Sequence, residues 1–397
     1  MDEPIVNRRA FLRVALAGLG ASRLAVGAQA GASACDAMTK PGATGDAGTT
    51  YDDQRHTDRL FRDTPRRFEC RARTPGELKA WQAAWRPRLR ELLGLAAMSE
   101  EVRFDGRAER AESVRQDGYT REKWYLWTEP DVPLPIWVLI PDQPAARPYP
   151  LVLTPHGHNV PELYLGIASD EKQRKAIAEG DRDIAVQAVR EGYLCVLPTA
   201  RGFGETMRPE DRKANKVSSC RTGLMHAMLF GRTMIGCRVW DISRILDWVT
   251  KRYDIDPRRI AITGNSGGGT TSVFAPACDE RITVAVPSCY FCTFAASIGS
   301  IHHCECNYVP GLLREGEMYD VAGLIAPRPF RAIAGESDPI FPIAAVREAY
   351  DRLKAIYRVA GVEDRCELYV GEGPHRYYRA GSWPFIRKWF DRLADGR

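Results

Sequence analysis

Apolar side chains recur at three- and four-residue spacing in residues 76–95, where Leu78, Trp81, Trp85, Leu89, Leu92 and Leu93 fall on one face. That period predicts an amphipathic helix, opened by the capping pair Thr74-Pro75 and kinked at Pro87. Beyond it the pattern changes. Residues 119–128, 134–140 and 151–154 are β-rich runs separated by Pro-rich turns. Similar runs at 193–197, 259–263, 282–286, 330–334 and 366–370 then alternate with helical stretches, which run through 240–249, start again near 267, and return at 344–359 and 383–393. Short apolar strands alternating with helices of this size predict an α/β fold: a mostly parallel central sheet with helices on both faces. No internal repeat or second linker appears. Residues 56–397 therefore read as one domain with a helical N-terminal extension over about 56–100.

The first 55 residues follow a different rule. Asn7-Arg8-Arg9-Ala10-Phe11-Leu12-Arg13 leads into a weakly hydrophobic Ala/Leu/Gly/Val run that ends in Ala28-Gln29-Ala30. A twin arginine, such a run and an A-x-A site predict a Tat signal peptide over 1–30, and hence a periplasmic or secreted protein. A lipid anchor at Cys35, after Ser33-Ala34, is the alternative form of the same export. Residues 31–55, rich in Gly, Ala, Thr and Asp, read as a flexible leader.

Composition narrows the function by exclusion. The 397 residues carry 56 Lys+Arg against 51 Asp+Glu, a net charge of +5. So small a surplus, with no basic block interleaved with aromatics, argues against nucleic acid as a partner. A chain that is 44% hydrophobic and 27% charged is not disordered. Apart from the short N-terminal run, no apolar stretch has the length of a membrane span.

The most specific signal is Gly264-Asn265-Ser266-Gly267-Gly268, between an apolar strand and a helical stretch. This is G-x-S-x-G in the strand–turn–helix setting of a nucleophile elbow. The turn is so tight that side chains two residues either side of the serine would meet neighbouring backbone, so glycine is needed at both places. Ser266 is then the candidate nucleophile, and the Gly267 N–H, at the positive end of the next helix, a candidate oxyanion donor. A nucleophilic serine needs a base and the base an orienting acid, in the chain order Ser, acid, His. His375 follows the last predicted strand in Gly373-Pro374-His375. Asp338 follows the strand at 330–334 by a short turn, with Glu336 and Asp320 as rivals for the acid. A second oxyanion donor is expected from the turn Pro155-His156-Gly157-His158, as the amide of either Gly157 or His158.

Three more groups could line a pocket. Arg201-Gly202-Phe203-Gly204-Glu205 sits at the end of the strand at 193–197, where Arg201 and Glu205 could meet substrate or form a structural ion pair. Cys289-Tyr290-Phe291-Cys292 and His302-His303-Cys304-Glu305-Cys306 form an insert on the same edge, with Tyr290, His302 and His303 as candidate pocket residues. Its spacing has zinc-ligand chemistry, but eleven Cys in an exported protein read first as disulfides or packed thiols. No metal is therefore assigned.

Together with Ala326-Pro327-Arg328-Pro329, Asp338-Pro339-Ile340-Phe341-Pro342 and the Arg201 loop, the elbow and the His375 loop resemble the acetyl xylan esterase-like α/β-hydrolases, near the dienelactone hydrolase-like and cephalosporin-C deacetylase groups. The resemblance spans about residues 75–393. It implies an α/β-hydrolase fold, a Ser266–Asp338–His375 triad, and deacetylation of carbohydrate esters without a cofactor. The chain departs from the best-known xylan deacetylases at Asn265 and Gly267, at Glu205-Thr206, and in the Cys-rich insert. Glucuronoyl or aryl-carboxylate esters are the nearest alternative substrates. A prolyl-oligopeptidase-type peptidase would need a β-propeller that the N-terminal region is too short to build. A non-catalytic carbohydrate-binding relative would be expected to have lost one of the three residues.

Overall fold

The computed structural model describes residues 53–396. The expected signal peptide, Cys35 and the leader up to residue 52 lie outside the described residues. The first helix, Gln54–Asp63, starts two residues inside the segment expected to be leader.

Nine strands form one sheet: β1 (Ala108–Gln116), β2 (Tyr119–Glu129), β3 (Val132–Pro141), β4 (Tyr149–Leu153), β5 (Leu194–Pro198), β6 (Ile255–Asn265), β7 (Val284–Ser288), β8 (Phe330–Gly335) and β9 (Cys366–Gly371). Their order across the sheet is β1-β2-β3-β5-β4-β6-β7-β8-β9. β1, β2 and β3 are antiparallel, and β3 meets β5 antiparallel. From β5 to β9 every pairing is parallel. This is the expected α/β-hydrolase fold.

The central strands are buried on both faces, and their alternation separates two cores. Leu151 and Leu153, with Ile260 and Ile262, point to one side; Val152 and Ala261 point to the other. The first side packs against Pro75–Leu92, Met234–Arg252, Gly267–Cys278 and Ile343–Val359. The second packs against Ile184–Arg190 and Arg379–Ala394. Both faces being covered leaves the strand ends as the places where function can sit.

The N-terminal helix forms as the spacing predicts. Thr74 Oγ1 accepts the Glu77 N–H at 3.2 Å, and Leu78, Trp85 and Leu89 are buried. Trp85 fixes the extension to the domain: it stacks on Phe68 at 4.9 Å and donates Nε1–H to the Asp320 carbonyl at 3.1 Å. Truncating it removes a large buried side chain and orphans that carbonyl. Trp85→Ala is expected to cost about 3–5 kcal/mol of stability, measured by urea unfolding; a midpoint within error of the parent would contradict the docking described.

Candidate active site

Strand β6 ends at Asn265 and the helix Gly267–Cys278 starts two residues later, with Ser266 between them at φ 59°, ψ −118°. A non-glycine residue there is strained and persists only where its surroundings hold it. They do. A Cβ added at Gly264 would lie 2.3 Å from the Pro155 carbonyl oxygen, and one at Gly268 would lie 2.1 Å from the same atom. The elbow therefore folds directly over the end of β4, and both glycines are needed for that approach. The Ser266 N–H donates to the Ser288 carbonyl at 2.9 Å, fixing the turn to β7.

Asp338 and His375 come from the loops after β8 and β9. The two loops are joined by backbone: Glu336 N–H donates to Gly371 O at 2.9 Å and Ser337 N–H to Gly373 O at 3.0 Å. Asp338 Oδ1 accepts the amides of Ile340 at 2.8 Å and Phe341 at 3.2 Å. Its Oδ2 lies 2.8 Å from His375 Nδ1. An ionised carboxylate only accepts, so His375 donates through Nδ1–H and keeps Nε2 as a basic nitrogen. Phe341 stacks on the imidazole with centroids 5.8 Å apart. Ser266 and His375 both open on one cavity of about 340 Å³. Among the described residues no hydrogen bond joins the hydroxyl to the ring; catalytic hydrogen bonds of this kind often close only with substrate in place. The rival acids are placed elsewhere. Asp320 is buried, accepting the amides of Cys70 and Glu317, and Glu336 is exposed.

The turn after β4 is built around a histidine. His156 Nδ1 sits 2.8 Å from the Gly157 carbonyl, and its Nε2 accepts the Ala200 N–H at 2.8 Å. These partners fix one neutral tautomer, and full burial pushes its pKa down to about 3. Gly157 lies against the elbow, since a Cβ there would be 2.6 Å from Asn265 O. The Tyr164 hydroxyl takes the Asn265 N–H at 3.0 Å and also faces the Gly157 amide. Of the two candidate donors, that leaves His158 N–H as the one not turned to a tyrosine. The His158 ring lies over Gly267, and burial lowers its pKa to about 4.

The remaining sequence candidates divide. His302 and His303 line the cavity, with His158, Asn159 and Arg182. His303 takes an Asn307 amide proton on Nδ1 at 2.9 Å, and its Nε2 is buried without a partner. Arg201, Glu205 and Tyr290 do not line it. Arg201 is held bidentately by Asp241, with Nε at 2.8 Å and Nη2 at 2.6 Å, and by Glu129 at 2.6 Å. Two carboxylates claim it before any substrate can. It lines a separate surface cavity of about 630 Å³ that contains none of the elbow residues. Glu205 binds Lys123 at 2.5 Å and Tyr125 at 2.7 Å, and Tyr290 is buried beneath the elbow helix. Arg182 and Asn159 escaped sequence reading, because a lone Arg or Asn in a loop carries no motif.

The expected disulfides are absent among the described residues: all ten cysteines there are free thiols. Burial pushes Cys195, Cys278 and Cys292 up to about 12, as expected for inert packed thiols. The C-x-x-C pair also separates from the H-H-C-x-C run. Cys289 donates to the Arg376 carbonyl at 3.1 Å beside Asp338, whereas Cys304 and Cys306 gather near His158. The Cys306 thiol is pulled well down by hydrogen bonds from Cys220 and Cys304 and by the Arg238 charge.

Residues 59–369 match the model of the Abhydrolase family. A provisionally named hydrolase of Bacillus subtilis (strain 168), YtaP, is 29% identical over 204 residues, covering 50% of this chain and 65% of that protein. The chain thus spans just under two thirds of that relative. Among solved structures, a provisionally named acetyl xylan esterase from Bacteroides fragilis NCTC 9343 superposes with TM-score 0.66 at 19% identity, covering 86% of each chain. A glucuronoyl esterase from Solibacter usitatus superposes with TM-score 0.54 at 18% identity, covering 80% of this chain and 93% of that one. At such identities the likeness concerns the fold.

The steric account of the elbow makes a graded forecast. Gly268→Ala drives a methyl into the Pro155 carbonyl and should cost at least about 1–3 kcal/mol. Gly267→Ala meets only the His158 ring, at 3.0 Å, and should cost less. Equal losses in urea unfolding would contradict the account.

Proposed function

This chain belongs to the Abhydrolase family, and we propose that it hydrolyses carboxylic esters of polar, carbohydrate-type alcohols through an acyl-enzyme on Ser266. The observation that carries this reading is the Asp338–His375 pair, joined at 2.8 Å, opening on the same cavity as a serine held at a strained elbow. A hydrogen-bonded acid and imidazole sharing a cavity with a half-buried, strained serine is the arrangement that nucleophilic acyl transfer requires.

In this mechanism His375 Nε2 takes the Ser266 proton as Oγ bonds to the ester carbonyl carbon. The carbonyl oxygen gains the negative charge and is met by the amides of Gly267 and His158. Collapse of that intermediate breaks the carbon–alkoxy bond, and the alcohol leaves with the proton from His375. Water then gives a proton to the same nitrogen, attacks the acyl group, and the acid departs as Oγ is reprotonated. Each oxyanion donor is worth on the order of 3 kcal/mol of barrier.

The cavity supports a polar alcohol. Arg182, Asn159 and four histidines line it, and the aliphatic contribution is Ile301 and Ile340. A small acyl group and a sugar suit this lining better than a long acyl chain does. Acetylated saccharides are the first reading. Arg182 favours a second one, an ester on an acidic sugar: its guanidinium has no ion-pair or hydrogen-bond partner among the described residues. Export through the 1–30 signal would bring the enzyme to such polymers.

Ser266→Ala is expected to remove hydrolysis of p-nitrophenyl acetate and of acetylated xylan, by on the order of 10⁶-fold in kcat, with unchanged circular dichroism. Undiminished turnover would refute the serine assignment. Arg182→Gln should raise KM for esters of uronate-containing oligosaccharides and leave p-nitrophenyl acetate unaffected. Equal effects on both substrates would remove the acidic-sugar reading and leave the esterase reading standing.

A further inference from the structure

Three segments far apart in the chain bring sulfur and imidazole ligands to one place. Cys306 Sγ lies 3.3 Å from Cys304 Sγ and 3.1 Å from His158 Nε2. The ligand atoms of His158, Cys304 and Cys306 all lie within 4.8 Å of one another. Cys220, the first residue of the helix Cys220–Met228, adds a third thiol in the same buried cluster as Cys306 and Cys304, with the Arg238 guanidinium 3.2 Å from its sulfur. Cys220 and Cys306 are fully buried, in an apolar nest with Phe203, Leu224 and Met234.

A guanidinium reports the charge this cluster should carry. Arg238 is buried, with Nη2 3.2 Å from Cys220 Sγ and 2.8 Å from the Arg201 carbonyl, and its Nε has no partner. No carboxylate pairs with it among the described residues. A cation so placed is strongly destabilised unless an anion faces it. The three thiols are the groups in contact range that can become anionic. Neutral thiols would leave Arg238 uncompensated, and so would a disulfide between two of them. Three thiolates around a divalent cation carry a net charge of −1, which Arg238 neutralises.

We propose that His158, Cys220, Cys304 and Cys306 form a tetrahedral site for a thiophilic divalent cation, zinc foremost. Zinc binds Cys₃His sets with sulfur at about 2.3 Å and nitrogen at about 2.0 Å, which places neighbouring ligand atoms roughly 3.5–3.8 Å apart. The Cys306–Cys304 and Cys306–His158 separations need to open by about half an ångström to meet that geometry. Cys220, which stands outside the set lying within 4.8 Å of one another, must swing inward to complete it. Four protein ligands leave no open position, so the ion is structural rather than catalytic. Its place gives it a task. His158 is the residue whose ring lies over Gly267, so ligation through Nε2 would lock the turn after β4 against the elbow. The site stands on its own geometry and does not depend on the esterase reading.

The test is metal analysis of the full chain, expressed with zinc and purified without chelator. Close to one zinc per chain is expected by mass spectrometry of the elements. Exchange for cobalt should give sulfur-to-cobalt charge-transfer absorption with the intensity of three thiolates. Cys306→Ser and Cys220→Ser should each lose the ion, whereas Cys292→Ser should keep it. Because the cobalt spectrum is read on the unaltered chain, a variant that fails to fold does not weaken the test. The proposal is overturned by a reduced chain that takes up neither zinc nor cobalt, by zinc that survives both substitutions, or by a cobalt spectrum without sulfur ligation. A mass two hydrogens short, with a disulfide mapped to two of the three thiols in the protein as isolated, overturns it equally. Fluorophosphonate labelling of Ser266 on the same samples reports separately on the serine chemistry.

Discussion

The Pro155 carbonyl is the pivot of this molecule. Two glycines of the elbow press on it from one side, and the turn carrying His156 and His158 leaves from the other. Backbone this close allows no intervening side chain, so the strained Ser266 conformation is set by main-chain packing and not by the serine itself. The parallel pairing of β4 with β6 brings the two turns together. If that contact loosened, the strain at Ser266 would relax and the amides facing it would scatter.

Around the pivot, rigidity is delivered by different means on each side. The acid and base loops are tied by two backbone hydrogen bonds that extend the β8–β9 ladder past its end. A Cβ at Gly335 would stand 2.4 Å from the Pro374 carbonyl, so this approach too depends on a missing side chain. The turn after β4 instead relies on buried imidazoles. His156 bridges two backbone groups as a neutral ring, and His158 reaches outward to the thiols. A cation held there would make the second turn as firm as the first.

What the chain disclosed before folding follows from local physics. The elbow, the helix at 75–92 and the parallel strands each satisfy a short-range rule of sterics or period, and the structure repeats them within a few residues. Strand β1 was missed because Ala108–Gln116 is mostly polar and exposed, an antiparallel edge with no apolar face. The helix Ile184–Arg190 was missed for the opposite reason. Six of its residues are buried, so it carries no amphipathic period. Asp338 and His375 could be chosen from chain order, but their contact is a tertiary fact. Arg201 looked like a pocket residue until Asp241 and Glu129, distant in sequence, were found to hold it. The cysteines mislead most, since the partners of Cys304 and Cys306 are His158 and Cys220 and not the nearby C-x-x-C pair. Spacing cannot reveal a cluster contributed by three separate segments of the chain.

The central claim is that Ser266, His375 and Asp338 act as one unit although the hydroxyl and the ring are not hydrogen bonded in the structure. The direct measurement is the rate at which a fluorophosphonate phosphonylates the chain with loss of fluoride, with the modified residue mapped by peptide mass spectrometry, in the parent protein and in His375→Ala. The account predicts a single label on Ser266 in the parent and its near-complete loss without the imidazole. Labelling elsewhere, or on Ser266 at an unchanged rate in His375→Ala, would contradict it.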